Sequence, residues 1–74
     1  MTGGEKLVDA RGLRCPWPVL RLCRAAREMA SPGAIRILAD DPAAGREIAQ
    51  LCTERSWKFA ADRAETDAFI VLIG

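Results

Sequence analysis

Four prolines, at positions 16, 18, 32 and 42, constrain the path of this 74-residue chain more tightly than any other feature. Proline fixes φ and lacks a backbone donor, so a helix tolerates it in the first turn and is broken by it further in. After Pro18 the apolar residues Val19, Leu22, Cys23, Ala26 and Ala30 recur at the spacing of one helix face, with Arg21, Arg24 and Glu28 opposite. Ser31-Pro32-Gly33 ends that helix, and Ala34–Ala39 reads as a β-branched strand. Asp40-Asp41-Pro42 reads as a second helix start, with Asp41 as N-cap and Pro42 at the first helical position. Ala44, Ile48, Leu51 and Cys52 then form its apolar stripe.

Lys6–Ala10 is a short strand leading into an Arg11-Gly12 turn, and Met1–Gly4 is a loose start. Trp57–Ala61 and Ala68–Ile73 read as two closing strands joined by a polar turn around residues 64–67. The order β-α-β-α-β-β predicts a parallel crossover and an antiparallel terminal pair. Two helices can cover only one face of a four-stranded mixed sheet, so the expected fold is a two-layer α/β (α+β) sandwich forming one domain over residues 1–74. If Ile35, Ile37, Phe69, Val71 and Ile73 face the helices, alternation sends Leu38, Ile70 and Leu72 to the open side. That would be either a patch for a partner or a weak homodimer, or a scatter of ordinary exposed aliphatics.

A net charge of +1 argues against direct binding of nucleic acid. The total hides an asymmetry: residues 1–36 carry seven Lys/Arg against three Asp/Glu, and residues 37–74 carry four against seven. Arg11 to Arg27 includes five arginines and no acid. This is either a solvated basic face or a docking surface for an acidic partner. Trp17 aligns with Arg21 and Arg24 at i+4 and i+7, a composition suited to docking, unless the indole folds back on the domain itself.

The three cysteines are an odd number, and no signal peptide or membrane-spanning run is read, so reduced thiols in a cytoplasmic protein are expected. Without histidine, neither a structural zinc site nor a Cys-His pair is expected, and no cofactor or metal is implied. Cys23 and Cys52 fall on the apolar stripes and read as inert core residues. Cys15 does not. Pro16 biases it toward an extended conformation at the mouth of the helix, where free N–H groups and the positive end of the dipole favour a thiolate. With Arg14 beside it, its pKa is expected below the ordinary value of about 8.5. Arg14, Pro16 and Pro18 would shape the site of a reactive thiol at Cys15.

The stretches "LVDARGLRCPWPVL" and "ADDPAAGREIAQLC", with the final apolar strand, resemble the TusA-type, or SirA-like, sulfur carriers over almost the whole chain. The specific signal is Cys-Pro-x-Pro after a Leu-x-Asp strand and a Gly-Leu turn. The resemblance implies a β-α-β-α-β-β sandwich like the C-terminal domain of a bacterial translation initiation factor. It also implies that Cys15 accepts sulfane sulfur as a persulfide from a cysteine desulfurase or rhodanese-like donor. The sulfur would pass to a downstream acceptor for tRNA thiolation, molybdenum-cofactor synthesis or sulfur oxidation, the protein being a sulfurtransferase-type carrier rather than a stand-alone turnover enzyme. Two positions depart from the family pattern: Cys23, where many relatives carry Lys or Arg, and Ser56-Trp57, where many carry a Gly-His or similar pair. The competing readings are a non-catalytic interaction or regulatory module, and a thiol-redox protein, although no resolving cysteine lies near Cys15 in the sequence.

Overall fold

The β-branched run after Gly33 becomes the spine of the sheet. In the computed structural model, which describes residues 5–29 and 32–74, the elements are β1 (Glu5–Asp9), α1 (Trp17–Glu28), β2 (Gly33–Leu38), α2 (Ala44–Arg55), β3 (Lys58–Ala61) and β4 (Ala68–Ile73). The expected loose start at 1–4, Ala30 of the first helical stripe and Ser31 lie outside the described residues. The sheet order is β1-β2-β4-β3, with β1 parallel to β2 and both other pairings antiparallel. The two-layer mixed-sheet architecture expected from the order of the elements is therefore the one formed.

Register separates the two faces of the sheet. Val8, Ile35, Ile37, Val71 and Ile73 point to the helices and are buried, while Phe59 and Phe69 stack at 5.8 Å and pack against the same core. Helix α2 buries Ala44, Ile48, Leu51 and Cys52, the stripe read from its sequence. Helix α1 is rotated from expectation: it buries Pro18, Leu22 and Ala25, leaving Val19, Cys23 and Ala26 partly exposed. Cys23 is thus half-buried rather than a core residue.

The open face also differs from expectation. Leu38 is buried, because Arg36 on that face bonds Asp62 (2.8 and 3.2 Å) and Glu65 (2.8 Å) and draws the 62–67 turn over this end of the sheet. Ala39 N–H to the Asp67 carbonyl (2.9 Å) fixes the same turn. Leu7 and Leu72 are the large aliphatics left exposed there, with Ile70 half-buried beside Leu72 on β4 and Arg36 between Ile70 and Leu7.

Helix α2 ends at Ser56, which adopts the left-handed conformation (φ 61°, ψ 33°) while the Trp57 N–H returns to the Cys52 carbonyl (2.8 Å). That capping bond takes Trp57 out of β3, which begins one residue later than its sequence suggests. A side chain at a left-handed position is costly, and glycine is not penalised there. Ser56→Gly should therefore stabilise the domain by about 0.5–1 kcal/mol and raise Tm by a few degrees. A lower Tm in the glycine variant would contradict this cap geometry.

Candidate functional site

Because β1 and β2 are parallel neighbours, the loops that follow them leave the sheet at the same end. Two aspartates join these loops. Gly12, at φ 83°, donates its N–H to Asp40 Oδ1 (3.0 Å), and Cys15 donates its N–H to Asp41 Oδ2 (2.6 Å). Asp41 Oδ1 accepts from Ala43 N–H (3.1 Å), and the Asp41 carbonyl accepts from Ala44 N–H (2.9 Å). Helix α2 therefore begins at Ala44, two residues beyond the expected start, and Pro42 sits in the preceding turn rather than in the helix. One carboxylate of Asp41 holds both the entrance of α2 and the backbone of Cys15.

Cys15 is exposed immediately before α1, and its thiol donates to Glu47 Oε2 at 2.8 Å. Pro16 is exposed at the N-cap position, whereas Pro18 is fully buried and anchors the first turn in the core. Between α1 and α2 lies a groove of about 210 Å³ beside the sulfur; Pro16, Val19 and Leu51 are its apolar lining, and Glu47, Gln50 and Glu54 its polar lining.

The expected acidic thiol is overturned. The Cys15 pKa is raised, first by the hydrogen bond its protonated form gives Glu47, then by desolvation and by the charges of Glu47 and Asp41; Arg46 opposes them weakly. The positive end of α1 does not prevail, since the Trp17 N–H is occupied by the Arg14 carbonyl (2.8 Å) and Pro18 has no donor. The Arg14 charge acts instead on Asp41. Glu47 was missed because it lies 32 positions along the chain. The available signal was topological: adjacent parallel strands deliver both helix N-termini to one end of the sheet, and Glu47 is the acid in the first turn of α2.

Trp17, Arg21 and Arg24 are all exposed, but on the flank of α1 away from the groove. Arg21 and Arg24 border a separate depression against β1, where Glu28 accepts from both Arg24 (3.2 Å) and Lys6 (3.1 Å). Arg11, the first of the basic run, pairs with Asp9 at 2.8 Å. Cys52 is buried, and desolvation pushes its thiol up. Among the described residues, no helix is long and apolar enough to cross a membrane.

The family model described as "Sulfurtransferase TusA" matches residues 6–74. The chain belongs to the TusA family. A sulfur carrier protein TusA of Pseudomonas syringae pv. tomato is 32% identical over 69 residues, 93% of this chain and 82% of the relative. One from Pseudomonas entomophila is 32% identical over 69 residues, 93% of this chain and 86% of the relative. The crystal structure of a SirA-like protein from Desulfitobacterium hafniense superposes with a TM-score of 0.74 at 22% identity, covering 92% of this chain and 93% of that one, which establishes the shared fold. A sulfur-carrier role follows from the family, and the Cys-Pro-x-Pro segment with its aspartate brace lies wholly within the matched span.

The brace has a pH signature. Asp41 is held below the usual carboxylate range by the N–H groups of Ala43 and then Cys15, with a smaller contribution from Arg14. A carboxyl lowered on folding contributes stability that is present above the unfolded pKa, about 3.9, and lost as pH falls through the folded one. Asp9, Asp62 and Glu28 are lowered as well, so acid sensitivity below about pH 4 is shared. Asp41→Asn keeps an acceptor at the turn and removes one titration. Its urea midpoint should fall less steeply between pH 5 and pH 2.5 than that of the wild type; parallel curves would deny the brace a charged role.

Proposed function

We propose that this protein carries sulfane sulfur as a persulfide on Cys15, taking it from a cysteine desulfurase or rhodanese-like donor and passing it to a downstream acceptor protein. The observation that supports this most is the exposed Cys15 sulfur, held between two braced loops at the edge of an open groove. In loading, Cys15 Sγ bonds to the outer sulfur of the donor persulfide, the donor's S–S bond breaks, and the donor cysteine leaves as a thiol. Delivery reverses the exchange, with Cys15 as the leaving group, so no net oxidation occurs. Pro18 fixes the helix mouth from the core, Pro16 shapes the groove beside the sulfur, and Arg14 supports Asp41 electrostatically. Trp17, Arg21 and Arg24 would meet an acidic surface of a partner that wraps around α1. Each exchange unloads one donor and loads one carrier, which suits a link in a sulfur relay rather than a free-standing enzyme.

Incubating the reduced protein with a persulfidated donor should add about 32 Da, the mass of one sulfur, and peptide mapping should place it on residue 15. A protein that stays unmodified under conditions where the donor loads another thiol would leave the family fold serving as a non-catalytic interaction module.

A further inference from the structure

We propose that Glu47 is the proton carrier for sulfur exchange at Cys15: it takes the thiol proton as Sγ attacks and returns it to the sulfur that departs. This rests on the reading of Cys15 as the persulfide-bearing residue and adds a second catalytic residue to it. Glu47 Oε2 accepts directly from the reacting sulfur at 2.8 Å, within reach for general base catalysis. Other nearby groups are unsuited to the task. The chain contains no histidine, and the guanidinium groups of Arg14 and Arg46 do not give up their protons. The oxygens of Asp41 already accept the N–H groups of Cys15 and Ala43. Glu54 lines the far part of the groove and is not bonded to the sulfur.

The atoms balance without an added oxidant or reductant. In loading, the Cys15 S–H bond breaks as the new S–S bond forms, and the proton moves to Glu47 Oε2. The electron pair of the broken donor S–S bond stays on the donor cysteine sulfur, which then takes the proton from Glu47. A carboxylate is a far weaker base than a thiolate, so the proton is relayed rather than kept. In delivery, Glu47 protonates Cys15 Sγ as it leaves. The same contact holds the resting thiol protonated, which protects it from stray electrophiles until a donor sulfur is in line.

Glu47 therefore acts in opposite directions on two reactions of one sulfur, and Glu47→Gln separates them. The amide keeps the side-chain size and removes both the charge and the base. Alkylation of Cys15 by iodoacetamide, which needs only thiolate, should become several-fold faster at pH 7 in the variant. Single-turnover loading from glutathione persulfide, a donor too small to depend on docking, should become at least about tenfold slower. Loading should rise with pH less steeply than alkylation in the wild type, and as steeply in the variant; Glu47→Asp should recover part of the rate. If loading accelerates together with alkylation, Glu47 only tunes charge and the proposal fails. Unchanged alkylation would remove the contact itself. A wild-type protein that alkylates normally but never loads would overturn the carrier reading instead.

Discussion

Cys15→Ala should reduce sulfur loading to the background of a thiol-free control while leaving Tm within about 2 °C of the wild type. Two observations set these limits together. The side chain of Cys15 is exposed and makes one hydrogen bond, to Glu47, so its removal leaves no cavity in the core. The bond that braces the two loops runs from the Cys15 backbone N–H to Asp41, and alanine retains it. The variant still carries Cys23 and Cys52, which makes the experiment stringent. Cys52 is buried with a raised pKa, so neither access nor ionisation favours its reaction. Cys23 is half-buried on α1 and is the residue that would expose an error: sulfur retained by the alanine variant and mapped to residue 23 would move the site. Cys23→Ala should load at the wild-type rate.

The elements were legible in the sequence where a local rule acts alone. The apolar stripe of α2, the span of β4 and the position of Cys15 at a helix mouth each follow from spacing or from a proline, and each is found in the fold. Misplacements arose where two segments share one group. Asp40-Asp41-Pro42 has the composition of a cap, yet the Asp41 carboxylate is divided between Ala43 and Cys15, and the helix starts two residues late. Leu38 has the alternation of an exposed residue, yet the ion pairs of Arg36 with Asp62 and Glu65 close a turn over it. The acidity of Cys15 was misread for the same reason. Arg14 is its sequence neighbour, whereas the group that touches its sulfur is Glu47 on another helix. Over a few ångströms a hydrogen-bonded carboxylate outweighs the dipole of a helix whose first donors are already occupied or absent.

Leu22→Ala should produce the largest loss of stability available from one truncation on α1. Leu22 is fully inaccessible and is among the largest side chains buried completely. Leu→Ala at such a site costs about 2–5 kcal/mol, because transfer free energy is lost and a cavity remains. A 74-residue domain has little to spare in its core: its whole stability is of order 4–11 kcal/mol. At about 4–8 °C per kcal/mol, a loss near 3 kcal/mol lowers Tm by about 12–24 °C. Leu20 provides the control, two positions earlier on the same helix and 48% exposed, where alanine should change Tm by only a few degrees. Equal losses at the two positions would mean that α1 is not seated as described. The effect on function should nonetheless be small at low temperature. Asp41 bonds Cys15, and Glu47 contacts its sulfur, from the loop preceding α2 and from α2 itself. Pro18 still anchors the first turn of α1 in the core. In a domain of this size that unfolds as one unit, the molecules that remain folded keep that geometry. Loading per folded molecule should therefore match the wild type well below the lowered Tm and collapse with the melting curve, not before it.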